Sequence, residues 1–381
     1  MINKKRLIAL TQKVISCNSE NPPGNELLLA KFIEKEMRSL GLEVKTYTFA
    51  KNRPNIVAAI RGTLPRQEAA REAVLITPHF DTVPIGKGWK FPPLGGEIHQ
   101  GRVYGRGATD DKCNLASSLE VVRSLVEDKI KLRKDLILAA TVDEETGSHY
   151  GIIPLLEKKI LRPRLALVLD SDEFDTIIAQ KGLLHSRIQI FGKKAHGAYN
   201  WRGVSAIEIA AKVINKLKAL KWQYKKHPLL HGPTMNVGVI KGGDKVNMVA
   251  DFCEFALDTR FLPGMDPRKV LDRIKSVIRS ETKKFKVLID DLQLPYEIDS
   301  RHPIVQTYVK TAYKMGCRAH LKGSEGATVI TFFKKHNIPA FATGFGTHGT
   351  AHTTDEYVKI EPLYRGTKVL EAFIKAYDQH E

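Results

Sequence analysis

The sequence has few cysteines, and none of them lie in a metal-binding spacing. Four occur in 381 residues, and they are far apart: Cys17, Cys113, Cys253 and Cys317. No C-x-x-C pair is present, which argues against both a disulfide framework and a thiolate-bound structural zinc site. We therefore expect a reduced, cytoplasmic protein.

Long apolar runs and low-complexity tracts are also missing. No apolar run approaches the roughly 18 residues that a membrane-spanning helix needs. The first residues, MINKKRLIALTQKVIS, contain a basic cluster but no small-residue cleavage site, so we expect no signal peptide and no membrane partner. With 43% hydrophobic and 27% charged residues, the chain is predicted to be globular, with two domains or one domain carrying a large insertion.

Acidic residues are outnumbered by basic ones. Lysine and arginine total 60 against 42 acidic residues, a formal net charge of +18. A nucleic-acid-binding protein could have this balance. The basic clusters are short and far apart, however, so we interpret them as a solvated basic face. Attraction of small anionic substrates is the alternative, and no nucleic-acid partner is expected.

Hydrophobic periodicity predicts an α/β fold. Apolar residues spaced by three and four indicate helices, and short apolar runs indicate strands. The predicted helices are 4–16, 25–40 and one beginning near Asn114, and the predicted strands are 43–49, 55–61, 73–78, 135–142 and 165–170. Toward the end of the chain, helices are predicted at 303–315, near 327–336 and at 361–378. Asn25 is expected to cap the second helix. Strands alternating with helices imply a sheet covered by helices.

The pattern changes near residue 181. Strand 183–191, helix 203–219, strands 233–241 and 247–260, helix 266–281 and strand 284–294 follow in turn. This β-α-β-β-α-β order is that of the ferredoxin-like split unit. We therefore expect a catalytic domain formed by 1–180 and 296–381, interrupted by an inserted α+β domain at 181–295. A Gly-rich turn is predicted at 323–326.

Five good zinc ligands stand where a sheet could gather them: His79, Asp110, Glu145, Asp170 and His352. Most lie at or just after a predicted buried strand, and the carboxyl ends of such strands form the usual ligand site of open α/β sheets. Zinc accepts imidazole nitrogen and carboxylate oxygen. Five ligands can hold two ions if one carboxylate bridges them. A water between two such ions has its pKa lowered from about 15.7 to roughly 7, which provides hydroxide at neutral pH.

Two further carboxylates are placed to assist this centre. Glu144 directly precedes a ligand and suits the role of general base, accepting a proton and passing it to the leaving amine. Asp81 follows His79 by two residues, so on an extended segment both side chains point the same way. Its expected task is to orient the imidazole.

The segments PHFDTVP, GRGATDDK, DEETGS, VLD and AHTTDE resemble those of the di-zinc aminoacylase family. That family includes acetylornithine deacetylase, succinyl-diaminopimelate desuccinylase, bacterial glutamate carboxypeptidase and several di- and tripeptidases. The resemblance runs in order along nearly the whole chain. It implies a mixed sheet covered by helices, as in zinc exopeptidases, with the inserted domain serving as a lid and dimerisation domain of a homodimer.

The resemblance also implies a ligand assignment. Asp110 would be the bridging ligand. His79 and Asp170 would complete one metal site. Glu145 and His352 would complete the other. The metals would be two Zn²⁺ ions, although Co²⁺ or Mn²⁺ also suit such ligands.

Further roles follow from the same resemblance. Glu144 becomes the general base, Asp81 the partner of the metal-bound histidine, and His196 a residue that polarises the scissile carbonyl in the neighbouring subunit's active site. Arg260 and Asn247 match positions that hold the substrate carboxylate. Gly323 and Ser324 match a turn that lines the substrate.

The sequence departs from the family pattern at three positions. Cys113 replaces a glycine of many relatives, and Asp170 replaces the glutamate of several deacylases. Asp111, beside Asp110, makes the bridging position ambiguous by one residue, and the family register selects Asp110. A cis Asp110–Asp111 peptide bond is expected, as is common at this position in the family.

The expected activity is hydrolysis of the amide bond in a small N-acyl amino acid bearing a free carboxylate, by a metal-bridging hydroxide with Glu144 as general acid and base. The alternative is a metallo-exopeptidase, a carboxypeptidase or dipeptidase of the same family, which Asp170 favours. A non-catalytic binding protein is a further alternative, but such a protein would normally have lost a ligand or the base.

Overall fold

The computed structural model describes residues 1–379 and divides into two compact units. The first comprises Met1–Ile178, Ile298–Lys322 and the described residues from Thr328 onward, and the second comprises Ala179–Glu297 and Gly323–Ala327. No helix within residues 1–379 is both long and apolar enough to cross a membrane.

The strands are β1 (Glu43–Ala50), β2 (Arg53–Ile60), β3 (Val74–Thr77), β4 (Glu97–His99), β5 (Arg102–Tyr104), β6 (Leu136–Ala140), β7 (Leu165–Leu169), β8 (Asp175–Gln180), β9 (Gly182–Phe191), β10 (Thr234–Gly242), β11 (Phe252–Phe261), β12 (Phe285–Gln293), β13 (Tyr296–Glu297), β14 (His320–Ser324), β15 (Ala340–Thr343) and β16 (Tyr357–Lys359). The helices are α1 (Lys4–Ile15), α2 (Leu27–Ser39), α3 (Arg66–Arg71), α4 (Lys112–Glu127), α5 (Ile152–Glu157), α6 (Ala206–Lys218), α7 (Pro267–Arg279), α8 (Pro303–Lys314), α9 (Ile330–Lys335) and α10 (Ile360–Asp378). Short 3₁₀ turns occupy Glu144–Thr146 and Gly197–Arg202.

The first unit is built on a mixed sheet in the order β1-β2-β6-β3-β7-β15-β8. Strand β3 pairs in parallel with both β6 and β7, and β15 pairs in parallel with β7. The outer pairs are antiparallel. Every residue of β3 and β7 is buried, as expected for central strands with both faces covered. Four strands therefore end at the same edge of the sheet.

Helices α1, α4 and α10 pack against one another, and α2 packs against β1 and β2. Helix α4 is buried along most of its length, from Lys112 to Leu125. The observed architecture confirms the predicted α/β class with a mixed sheet covered by helices.

The second unit is a four-stranded antiparallel sheet in the order β10-β11-β9-β12. Helices α6 and α7 pack on it, and the two helices and the sheet enclose a core that includes Phe255, Val213 and Ile274. In chain order this is the ferredoxin-like β-α-β-β-α-β arrangement, with the first and third strands at the centre.

Three local predictions are wrong. Asn25 does not cap α2: the helix begins at Leu27 with Glu26 at the N-cap position and no side-chain cap, because Glu26 is instead buried and paired with Arg53. The strand predicted from 247 begins only at Phe252. The turn predicted at 323–326 begins later than expected, since β14 runs through Ser324.

Candidate metal centre

The five predicted ligands come together at the sheet edge in two overlapping groups. His79, Asp110 and Asp170 form one group, and Asp110, Glu145 and His352 form the other; within each group the donor atoms lie within 4.8 Å of one another. Asp110 belongs to both. Its Oδ1 lies 3.0 Å from His79 Nε2, and its Oδ2 lies 3.1 Å from His352 Nε2. Each oxygen of one carboxylate thus faces a different group, as a bridging ligand requires.

The parallel strands explain why residues so far apart in sequence meet. His79 follows β3, Glu145 follows β6, and Asp170 follows β7 directly. Parallel strands that pair in register deliver their carboxyl ends to one edge. An isolated bridge between His79 and Thr141 extends this alignment beyond the ends of β3 and β6.

Asp110 is held by the buried carboxylate of Glu356. This carboxylate accepts hydrogen bonds from the backbone N–H groups of Gly107, Thr109 and Asp110, at 3.0, 2.8 and 3.1 Å. The Arg106 guanidinium donates to it at 2.7 Å. The Asp110–Asp111 peptide bond is cis, which confirms the expectation drawn from the family resemblance.

The loop that carries His352 is tied to the Asp110 loop. The Thr109 hydroxyl donates to the Tyr357 carbonyl at 2.7 Å and accepts from the Thr347 N–H at 3.1 Å. His352 itself has a φ of 61°, a left-handed conformation that costs energy for a residue with a side chain. The tertiary contacts of the two loops therefore support a backbone that the local sequence disfavours.

The turn that carries Glu144 and Glu145 is held by Asp81. Its Oδ1 accepts from the Glu144 N–H and its Oδ2 from the Glu145 N–H, both at 3.1 Å. Asp81 Oδ1 also lies 3.4 Å from His79 Nδ1, and the Asp81 carbonyl lies 3.2 Å from the same nitrogen. Asp81 thus contacts the imidazole, as predicted, and fixes the neighbouring turn as well.

Asp111 and Cys113 have other contacts. Asp111 accepts from the His79 N–H at 3.2 Å and from Asn114 Nδ2 at 2.6 Å. Cys113 Sγ donates to the Thr109 carbonyl. Neither belongs to the two ligand groups, so the geometry favours Asp110 as the shared carboxylate.

Electrostatics at the centre show an excess of buried negative charge. Burial, reinforced by the nearby Asp110 carboxylate, raises the pKa of Asp170 to about 7. Burial also raises the pKa of Glu144 well above its ordinary value. Hydrogen bonds with Asp110 and Glu145 raise the pKa of His352 to about 10. Protons are thus retained where carboxylates outnumber cations, and divalent ions bound to these oxygen and imidazole donors would supply the missing charge.

The predicted substrate residues of the second unit do not belong to these groups. His196 is exposed and caps a 3₁₀ turn by accepting from the Ala198 N–H at 3.1 Å. The Asn247 carbonyl accepts from the Gly197 N–H at 2.7 Å, so Asn247 lies beside His196. Arg260 pairs with Asp258 at 2.9 Å. Their assignment to substrate binding stays a prediction.

The same holds for Gly323 and Ser324 at the end of β14. A Cβ at Gly323 would lie 2.4 Å from the Leu229 carbonyl, so a close backbone approach explains that glycine. The Ser324 carbonyl accepts from the Lys181 N–H at 3.1 Å. Both contacts are structural.

Sequence reasoning missed several residues that support the centre, chiefly Asn21, Arg106 and Glu356. Glu356 ends the segment AHTTDE, four residues after a ligand, and this proximity was the available signal. Asn21 precedes two prolines near the start of the chain, and nothing local connects it to Asp81, 60 residues away.

Comparison with known proteins identifies the family. The sequence profile described as peptidase family M20/M25/M40 matches residues 75–376. Similar solved structures include aminopeptidase PepT from Bacillus cereus, with a TM-score of 0.82 and 25% identity over 99% of both chains. A tripeptidase from Staphylococcus aureus has a TM-score of 0.82 and 24% identity over 100% of both chains. An M20 family metallo-carboxypeptidase from Sulfolobus solfataricus has a TM-score of 0.80 and 21% identity over 98% of this chain and 99% of that chain.

Another similar structure, the YXEP protein of Bacillus subtilis, is described as a dinuclear metal-binding peptidase of the M20 family, with a TM-score of 0.73 and 15% identity over 97% of both chains. The profile covers most of the sequence, and the fold agrees from end to end. The chain therefore belongs to peptidase family M20/M25/M40.

Proposed function

We propose that the protein is a two-metal exopeptidase that removes the first residue from short peptides with a free amino terminus. The observation that carries this proposal is the end-to-end similarity to an aminopeptidase, 25% identical over 99% of both chains, together with a complete set of ligands in this chain. The structural similarity to a tripeptidase, which extends over 100% of both chains, favours short peptides as substrates. N-acyl amino acid hydrolysis, the first expectation from the sequence, becomes the alternative.

The metal ions would be held by the two ligand groups, with Asp110 shared. Zn²⁺ is the proposed ion, and Co²⁺ or Mn²⁺ would fit the same donors. When bound, two such ions lower the pKa of a water molecule and polarise the scissile carbonyl. In each group the donor atoms already lie within 4.8 Å of one another.

Glu144 would serve as general base and then general acid. Its backbone is fixed by Asp81, and within residues 1–379 its carboxylate has no hydrogen-bonding partner. It is thus free to take a proton from the attacking water and to deliver it to the departing nitrogen. The raised pKa of Glu144, caused by burial, favours a group that returns the proton it has taken.

The second unit would complete substrate binding. We propose that His196 stabilises the oxyanion in the active site of a second copy, so that the active form is a homodimer. Arg260 and Asn247 would hold the substrate carboxylate, with Gly323 and Ser324 at the substrate. This part of the proposal is supported by the family resemblance and by the exposure of the His196 side chain.

A substrate panel tests the proposal. The Zn²⁺-, Co²⁺- and Mn²⁺-loaded proteins are assayed with trialanine, its N-acetylated form, dialanine, and N-acetyl and N-succinyl amino acids, with products separated by chromatography. The expected result is release of alanine and dialanine from trialanine, with little turnover of the N-acetylated peptide. Faster cleavage of N-acyl amino acids would establish the deacylase alternative. Faster cleavage of N-blocked peptides from the carboxyl end would establish a carboxypeptidase.

A further inference from the structure

Asn21 lies outside the residues matched by the family profile, 75–376, yet its side chain reaches the centre. It is 3% exposed. Its Nδ2 lies 2.8 Å from Asp81 Oδ2, 2.9 Å from Thr146 Oγ1 and 3.3 Å from Asp143 Oδ1. An amide has two hydrogens to donate, so three acceptors share them. One neutral donor group therefore joins Asp81 to both ends of the turn at 143–146.

That turn carries Glu144 in a conformation which the surroundings impose. Asp143, the residue before the proposed base, has a φ of 68°, a left-handed conformation that is uncommon outside glycine, although aspartate adopts it more readily than most residues. Its Oδ1 accepts from the Thr146 hydroxyl at 2.6 Å and pairs with Arg53 Nη1 at 2.8 Å. Asp143 is thus held by a contact from within the turn, with Thr146, and by a contact from outside it, with Arg53.

The main chain around Asn21 is fixed to the segment after β3. The Asn21 N–H donates to the Thr82 carbonyl at 2.8 Å, and the Thr82 N–H donates to the Ser19 carbonyl at 3.0 Å. The Ser19 hydroxyl donates to the Phe80 carbonyl at 2.6 Å. Asn21 is therefore presented to Asp81 and Asp143 by a backbone that is itself anchored.

We propose that Asn21 is a positioning residue for Glu144, an inference that rests on the proposed role of Glu144 as the base. Asp81 and Asp143 are both buried, and both have an oxygen within 3.3 Å of the same nitrogen. Without this donor the two carboxylates repel each other in a poorly screened environment. The turn between them is then displaced, and a small displacement of a catalytic group costs much of its rate.

The test compares steady-state kinetics on trialanine and metal content for Asn21→Ala and Asn21→Asp. The second variant keeps the shape of the side chain but removes both donor hydrogens. We expect kcat to fall about 10- to 100-fold in both, with KM within about twofold and two metal equivalents retained. Ser124→Ala is the control, because it removes a buried hydroxyl that donates to Glu371 Oε1 at 2.6 Å, a hydrogen bond that involves none of Asn21, Asp81 and Asp143; its kcat should stay within about twofold of wild type.

Several outcomes would overturn the inference. They are a kcat of Asn21→Ala close to wild type, a loss of kcat that parallels a loss of metal, or an equal loss in Ser124→Ala. Should Asn21→Ala fail to fold, Thr146→Val at an exposed position removes the hydroxyl that accepts from Asn21 and donates to Asp143. It should lower kcat about threefold with metal intact, and an unchanged kcat would count against the proposal. Glu144→Ala separates the two hypotheses. Turnover by this variant would contradict the proposed function. If Glu144→Ala is inactive but Asn21→Ala is fully active, only the inference about Asn21 is wrong.

Discussion

The two ligand groups share Asp110 but differ in how firmly the protein holds their other members. In the first, the side chain of His79 is 3% exposed and comes from the end of a strand whose four residues are all buried. In the second, the side chain of His352 is 52% exposed and comes from the loop between β15 and β16, with a φ of 61°. One imidazole is fixed by the core, and the other by contacts between loops.

This difference indicates which contacts set the geometry of each proposed metal site. His79 has Asp81 against its second ring nitrogen, which fixes the ring before a metal arrives. His352 Nε2 instead faces both Asp110 and Glu145, at 3.1 and 3.3 Å. We therefore expect the two ions to differ in affinity and in exchange rate, with the ion beside His352 the weaker.

The largest effect should come from removing Asp110, since both ligand groups contain it. Asp110→Ala should lose both metals, and its kcat should fall at least about 10³-fold, because the metals supply several kcal/mol of transition-state stabilisation. Metal content by mass spectrometry and kcat on trialanine measure this. Asp111→Asn is the control and should retain two metals. A variant at Asp110 that keeps both ions while Asp111→Asn loses them would reverse the assignment.

Glu356→Gln should weaken metal binding by about 10- to 100-fold, a typical cost of losing support behind a ligand. The amide offers only one oxygen acceptor in place of a carboxylate that receives three backbone N–H groups and Arg106. Competition with a chelator measures the affinity. Glu120→Gln is the matched control, because Glu120 is a fully buried carboxylate paired with Arg6 away from the ligands. Equal losses in the two variants would mean that Glu356 acts only through overall stability.

The positions of His79, Glu145 and Asp170 could be predicted from the sequence because each comes after a buried apolar run. Asp110 and His352 lie in loops, and the motifs GRGATDDK and AHTTDE singled them out through the family resemblance. That these five residues bind metal stays a prediction. A buried apolar run followed by His or Asp places that side chain at the carboxyl end of a strand, and parallel pairing does the rest. The ferredoxin-like order of the second unit was readable for the same reason. These signals lie within single strands and the residues directly after them.

The supporting residues could not be predicted, because their partners are distant in sequence. Asn21 contacts Asp81 and Asp143 in the folded sheet, where β3 and β6 pair and the residues that follow them lie side by side. Asn25 failed as a helix cap for a related reason: the ion pair of buried Glu26 with Arg53 at 2.6 Å decides where α2 begins. The roles of His196, Asn247 and Arg260 depend on contacts that their local sequence does not encode, and they stay predictions.

The two ions should also leave the protein at different rates, an effect smaller than those of the Asp110 and Glu356 variants. On dialysis of the two-metal protein against a chelator, one equivalent should leave roughly tenfold faster than the other, since an exposed loop opens more readily than a buried strand end. His352→Ala should contain about one equivalent and lack the fast phase. His79→Ala should lack the slow phase. Loss of both ions in a single phase from the wild-type protein would contradict the proposed difference.

The smallest expected effect is on the pH dependence of stabilisation by Zn²⁺, through Asp170 of the first group. In the metal-free protein the pKa of Asp170 is raised by burial from 3.8 to about 7, so the folded state keeps a proton that the unfolded chain has already released. The metal-free protein should therefore lose stability as pH rises from about 4 to 7, whereas a metal requires the deprotonated carboxylate. The increase in melting temperature on adding Zn²⁺ should consequently be larger at pH 8 than at pH 6. In Asp170→Asn, which has no carboxyl group to titrate, the two increases should be closer together; an equally strong pH dependence in that variant would assign the proton to another group, such as His352.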